Sequence, residues 1–243
     1  SGNDIRVLAI TCSRGNLEAY AVYEKVRALS AVFHHEGIPS AAAEKLKTPL
    51  PPWSDFAREI DWGPKHEVQK NVSDASLLLT ESLKNYKDTV SLIALGSLKT
   101  YADWLKAHPD LHGKIRRIIW YNSHAVESGF NYRLSPESFA YIKNTGIPLE
   151  IVENKSDNLI INRAYLDAVQ KAPTRYAKQI VKVHEQPAVE QKIQEKHLHL
   201  WDDLLPLYLT VPLLFETKTE NGLRLAEINP QLPPDFVYET ISD

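Results

Sequence analysis

Apolar positions along this chain fall into two alternating patterns, short continuous runs and stretches in which they recur every three or four residues. That alternation predicts strands interleaved with helices. Ile5 to Thr11 is β-branched and apolar, with the length of a strand buried on both faces. It breaks at Cys12-Ser13-Arg14-Gly15-Asn16, where Gly15 permits a turn and Asn16 suits a helix cap. The helix predicted next runs to about Glu36, with Val22, Val26, Leu29 and Phe33 on one face and Gly37 at its end. Ile38 to Ala42 is a short extended segment. From Ala43 to about Val72 the periodicity is lost among Pro49, Pro51, Pro52, Pro64, Trp53 and Trp62. This long connection reads equally as a binding loop and as an ordered surface loop pinned by two tryptophans.

A helix is predicted from Ser73, with Leu77, Leu78 and Leu83 as its apolar contribution, then a strand from Val90 to Leu95. Gly96-Ser97-Leu98-Lys99-Thr100 leads into a helix ending near His108. Ile115 to Tyr121 is a buried strand followed by a polar loop with Asn122, Ser123, His124 and Asn131. Ser135-Pro136-Glu137 then starts a helix: a capping hydroxyl, proline at the first helical position and an acid at the positive end of the dipole. Gly146 and Pro148 stop it before the strand Leu149 to Val152. Past Glu153, Asn154, Asp157 and Asn158, amphipathic helices are expected from about Asn162 to Gln194, with Arg175, Lys178, Lys182 and Lys192 on a solvated face. His199 to Asp203 opens another helix. Leu213 to Lys218, Leu223 to Ile228 and Phe236 to Ile241 read as strands, with an Asn221-Gly222 turn. The strand, loop, helix, strand unit from Ile115 to Val152 belongs to parallel sheets, whose ligands bind where loops leave the strands' carboxyl ends. The expectation is therefore a single α/β domain over residues 1–243, with a mainly parallel central sheet and helices on both faces.

Composition narrows the partners. The chain has 243 residues and a formal net charge of -3, which calls for neither nucleic acid nor an anionic membrane surface. No apolar run has the length to span a bilayer and no signal peptide is recognised, so a soluble protein is expected, in cytoplasm or periplasm. Cys12 is the single cysteine, so there is no intrachain disulfide framework. The chain has no methionine and opens Ser1-Gly2-Asn3 directly ahead of a strand, which suggests that more chain precedes Ser1.

Gly129-Phe130-Asn131, Ser135-Pro136-Glu137 and Gly146-Ile147-Pro148-Leu149 occur in an order and spacing that resembles the inosine-uridine-preferring nucleoside hydrolases. In that family a strand leads to Glu-Phe-Asn, Asp-Pro-Glu and Gly-Ile-Pro-Leu. Gly96-Ser97-Leu98 resembles the family's Gly-Pro-Leu turn, Arg14-Gly15-Asn16 its Ala-Gly-Asn, and Trp201-Asp202 its His-Asp. The resemblance implies hydrolysis of the N-glycosidic bond of a ribonucleoside or related ribosyl compound by calcium-assisted attack of water. It implies substrate contacts from Asn16, Asn131 and, with its spacing off by one, Asn122. Calcium ligands are implied from Asp202 and the Leu95 carbonyl, and self-association is common in the family. Trp201 stands in place of a histidine that can act as acid, and its ring suits stacking on a purine.

The departures are as informative. The family's aspartate cluster after its first strand has no counterpart, and Ser1 to Asp4 leads straight into what corresponds to the second strand. The resemblance thus places the water-activating base on an aspartate upstream of Ser1, with the first strand and helix outside the sequence. Gly129 replaces the ribose-binding glutamate. The alternative is a catalytically inactive member that binds a nucleoside or sugar, and a third reading is an unrelated α/β enzyme, which predicts Asn131 and Asp202 far apart. For Asn16, Asn131 and Asp202 the plain alternatives are a helix cap, a loop residue bonding its own backbone and a helix-start residue. His197-x-His199 with Asp202 can be written as a transition-metal site, although such a pair is more often polar surface. Cys12 with His124 or His184 lacks the local signature of a thiol nucleophile and reads better as a buried cysteine.

Overall fold

The computed structural model describes residues 5–43, 48–64, 74–155 and 159–242. Its centre is a five-stranded sheet built from β3 (Val90–Ala94), β4 (Ile115–Tyr121), β5 (Leu149–Glu153), β6 (Phe215–Glu220) and β7 (Leu223–Ile228). The strand order is β3-β4-β5-β7-β6, parallel throughout except for the antiparallel edge strand β6. A separate parallel pair joins β1 (Ile10–Cys12) to β2 (Ser40–Ala42). The sequence is therefore read correctly as a mainly parallel α/β fold.

Side-chain alternation divides the core in two. Ile118, Trp120 and Ile151 face one side, where they pack with Leu79 and Leu83 of α3 (Ala75–Asn85), Ala102 and Leu105 of α4 (Lys99–Ala107) and Ile142 of α6 (Pro136–Lys143). Ile119 and Val152 face the other, against α7 (Arg163–Lys171), α8 (Arg175–His184), α10 (Leu204–Thr210) and α11 (Pro234–Ser242). Two apolar layers on opposite faces are what a parallel sheet needs, since neither face can be left to water.

Several boundaries shift. Of the run Ile5 to Thr11 only Ile10 onward is paired, and Ile5 and Val7 stay about half exposed. The first helix, α1 (Ala19–Val32), begins after Glu18 with no side-chain cap, so Asn16 is not its cap, and it ends at Val32 before His34, whose φ is +55°. Ser73, Asp157 and Asn158 lie outside the described residues; Asp74 caps the helix there, its carboxylate accepting the Leu77 N–H at 2.9 Å. Leu77 faces solvent, and Leu79 takes the core position beside Leu78 and Leu83. In the long connection, α2 (Ser54–Glu59) is a short helix. The polar loop holds another, α5 (Phe130–Arg133). Ser135 does not cap α6 through the backbone; its hydroxyl bonds the Glu137 carboxylate at 2.5 Å and the Ser138 hydroxyl at 2.7 Å. The amphipathic stretch resolves into α7, α8 and α9 (Pro187–Gln194), with the Asn162 side chain accepting the Tyr165 N–H at 2.9 Å.

Phe236 to Ile241 is helical, not a strand. Pro234 and Asp235 occupy its first turn, as both residue types prefer, and the adjacent buried pair Val237 and Tyr238 packs on α7, which alternation across a strand would not allow. At the Asn221-Gly222 turn both residues have positive φ, +51° and +79°, the geometry of a two-residue hairpin.

Candidate functional site

The carboxyl ends of β3, β4, β5 and β7 lie along one rim of the sheet because those strands are parallel and paired in register. Asn131, on the short α5, is tied to two of them. Its Nδ2 donates to the carbonyl of Leu95, just after β3, at 3.2 Å and to that of Tyr121, the last residue of β4, at 2.9 Å. Its Oδ1 takes no hydrogen bond from any described residue. Asn131 and Leu95, two positions singled out from sequence, thus touch each other. Trp120 reinforces the junction by donating from Nε1 to the Gly96 carbonyl at 2.8 Å.

Asn16 reaches the same neighbourhood through an aromatic bridge. Its Oδ1 accepts the Trp53 indole N–H at 2.8 Å, and the Trp53 ring packs on Phe130, next to Asn131, with centroids 5.4 Å apart. Trp53 therefore pins the long connection to the rim. Trp62 takes part through its backbone, its carbonyl accepting from Gln179 at 3.0 Å.

Asn122 is almost wholly buried, and its amide is spent within the loop. Nδ2 donates to the carbonyls of Ser123 and Val126, both at 3.1 Å, and Oδ1 accepts the Tyr132 N–H at 3.2 Å. The same side chain fills the space over Gly129, where an added Cβ would lie 2.0 Å from Asn122 Oδ1. The glycine is a packing requirement at this point.

Asp202 and Trp201 precede α10 on the same rim: Asn154, directly after β5, donates from Nδ2 to the Leu200 carbonyl at 3.2 Å. Asn131 and Asp202 therefore do not sit at opposite ends of the sheet. Trp201 is 45% exposed and stacks on His199, with ring centroids 5.2 Å apart and planes 12° from parallel. Asp202 and Asp203 are open to water yet crowded by protein. Desolvation, with the neighbouring Asp203 charge, pushes the Asp202 carboxyl up to about 7, and desolvation raises Asp203 as well. Calcium takes six to eight oxygen ligands. Asp202 and the Leu95 carbonyl offer two, and the second already accepts the Asn131 amide. The described residues alone do not fit calcium.

The family model for inosine-uridine preferring nucleoside hydrolases matches residues 1–228. The chain belongs to this family. Among solved structures, the purine-preferring ribonucleoside hydrolase from Gardnerella vaginalis matches with a TM-score of 0.77 at 14% identity, over 98% of this chain and 89% of that one. The plant nucleoside hydrolase PpNRh1 matches with a TM-score of 0.78 at 13% identity, over 99% and 91%. The inosine-uridine preferring nucleoside hydrolase from Bacillus anthracis matches with a TM-score of 0.73 at 16% identity, over 99% and 90%. A search of the curated proteins finds no match.

Against the nucleoside hydrolase pattern, the rim holds a further group that sequence reasoning did not assemble. His124 follows β4, Glu153 ends β5 and Glu227 lies near the end of β7, and a nitrogen and two carboxylate oxygens from them lie within 4.8 Å of one another. The available signal was positional: both buried runs carry an acid at the carboxyl end, where parallel sheets bind ligands. His197, by contrast, is an exposed residue paired with Glu195 at 3.0 Å, and no metal-ligating cluster of His197, His199 and Asp202 forms among the described residues. Cys12 is buried, and desolvation pushes its thiol up to about 12, the opposite of an activated nucleophile.

Proposed function

We propose that this protein hydrolyses the N-glycosidic bond of a ribonucleoside or a related ribosyl compound. The observation that carries the reading is Asn131, held against the carbonyls of Leu95 and Tyr121 at the carboxyl rim, with Oδ1 left to accept a hydroxyl of the sugar. Asn16, kept close by Trp53 and Phe130, offers its amide N–H groups to the same ligand. The exposed ring of Trp201 stacks on the base. Asn122 positions the loop that carries Asn131; for it to contact the ribose as well, its hydrogen bonds to the loop would have to open.

Calcium enters this reading as the metal of the family, with Asp202 and the Leu95 carbonyl as this chain's share of its ligands. The remaining ligands and the water-activating base come, in the same proposal, from aspartates preceding Ser1. Its support is an interruption between the two sheets. β1 pairs with β2 and β3 with β4, and among the described residues no backbone ladder joins β1 to β3.

One observation favours the second reading, a member that binds without cleaving: Asn122 leaves no room for a glutamate in place of Gly129. Titration of the full-length protein with ribose and inosine in a calorimeter, for the wild type and for Asn131→Ala, tests the assignment of the sugar site. Binding of both ligands, weakened about tenfold or more by the substitution, is expected, because a buried hydrogen-bonding partner is lost. Equal binding by the variant removes Asn131 from the site.

A further inference from the structure

We propose that His124, Glu153 and Glu227 form a binding site for a divalent first-row transition metal, of which zinc is the natural probe, tying the loop after β4 to β5 and β7. The residues come from three strand ends: β4 and β5 are neighbours, and β5 pairs with β7 so that Glu153 lies opposite Glu227. One ligand atom from each lies within 4.8 Å of the others, so small side-chain rotations bring all three onto one ion.

The imidazole is the second observation. The His124 side chain is 10% exposed, and both ring nitrogens are shut off from water without making a hydrogen bond to a described residue. Nδ1 lies 2.8 Å from Glu153 Oε1, but out of line for a hydrogen bond. Ligands bound to one ion approach each other side by side in this way, since the metal lies between them. A buried imidazole whose ring nitrogens make no hydrogen bond is costly, and coordination satisfies it. The second oxygen of Glu153 accepts the backbone N–H of His124, which orients the carboxylate as outer contacts of metal sites do. A cation is already drawn to the third ligand: Lys155 Nζ stands 3.8 Å from Glu227 Oε2, on a side chain 58% exposed that an ion displaces easily.

The donor set selects the metal. Calcium and magnesium take oxygen, whereas imidazole with carboxylates suits zinc, manganese or iron, with water completing the shell. The site shares none of the residues assigned above to calcium, Asp202 and Leu95, and it does not rest on the proposed activity. Its effect is mechanical, because the loop it anchors also carries Asn131.

Calorimetric titration of the purified protein with zinc, after chelator treatment, tests the site. Expected are one zinc per chain at micromolar concentrations, no displacement by excess calcium, and a rise in Tm on binding. Glu227→Gln, at a partly exposed position, is expected to weaken binding by at least about tenfold while leaving the metal-free Tm unchanged. His197→Ala is expected to bind as the wild type does. With cobalt as substitute, the visible spectrum is expected to show nitrogen and oxygen ligation without the charge-transfer band of a thiolate. Absence of zinc binding at millimolar concentration would reduce His124 and Glu153 to an ion pair and overturn the proposal. So would equal binding by wild type and Glu227→Gln, which would put the zinc elsewhere.

Discussion

Gly129 shows how one residue separates this chain from the pattern it otherwise resembles. Asn122 satisfies three backbone groups of the loop, and its amide occupies the space a side chain at position 129 would need. Gly129→Glu is expected to lower stability by about 1–3 kcal/mol, the usual range for overpacking, read as a fall in Tm by thermal unfolding. An unchanged Tm would mean that the loop yields freely. Asp202 carries a pH signature. Its carboxyl is raised in the fold to about 7 from an ordinary 3.8, so its contribution to stability is fully present below about pH 4 and is lost as pH rises through about 7. In metal-free buffer Asp202→Asn is therefore expected to raise Tm at pH 8 and to leave it unchanged at pH 4; solvent reaching the carboxylate keeps the gain modest. Cys12, buried with its thiol raised to about 12, is expected to resist thiol reagents at pH 8 until the protein is unfolded. Single residues were only partly legible in the sequence. The motif order picked out Asn131 and Leu95, which touch, but nothing local shows that Asn16 binds an indole 37 positions away in sequence.

At the scale of elements, a polar ladder crosses the buried sheet away from the rim. Arg117 of β4 reaches both oxygens of Glu150 of β5 at 3.1 Å and approaches Ser91 of β3, while Arg224 of β7 stands 3.9 Å from Glu150. With 6% of its side chain exposed, Glu150 depends on these partners. Glu150→Ala leaves Arg117 uncompensated and is expected to cost about 2–3 kcal/mol in denaturant unfolding, short of the full buried-pair penalty because Arg117 is 28% exposed. The double change Arg117→Met with Glu150→Leu is expected to cost less than the single one, and a larger loss would contradict the account. Strands buried on both faces were the most legible elements, because a continuous apolar run bounded by turn residues has few other uses in a parallel sheet. The last segment was misread: aromatic and β-branched residues from Phe236 suggest a strand, and packing of Val237 and Tyr238 on α7 overrides that preference.

For the whole molecule, parallel pairing brings the ends of four strands to one rim, and residues from Leu95 to Glu227 become neighbours there. Fold class was readable because the strand, loop, helix, strand unit has few topologies. The His124 cluster was not, since its members are joined only by strand order. The central claim, hydrolysis at this rim, is tested most directly by following release of free base from inosine by the full-length protein, with calcium and with a chelator. The account predicts release that needs calcium and falls by about a hundredfold or more in Asp202→Asn, as expected for a group at the reacting centre. Inosine binding without release in the presence of calcium, or release indifferent to both calcium and Asp202, would contradict it.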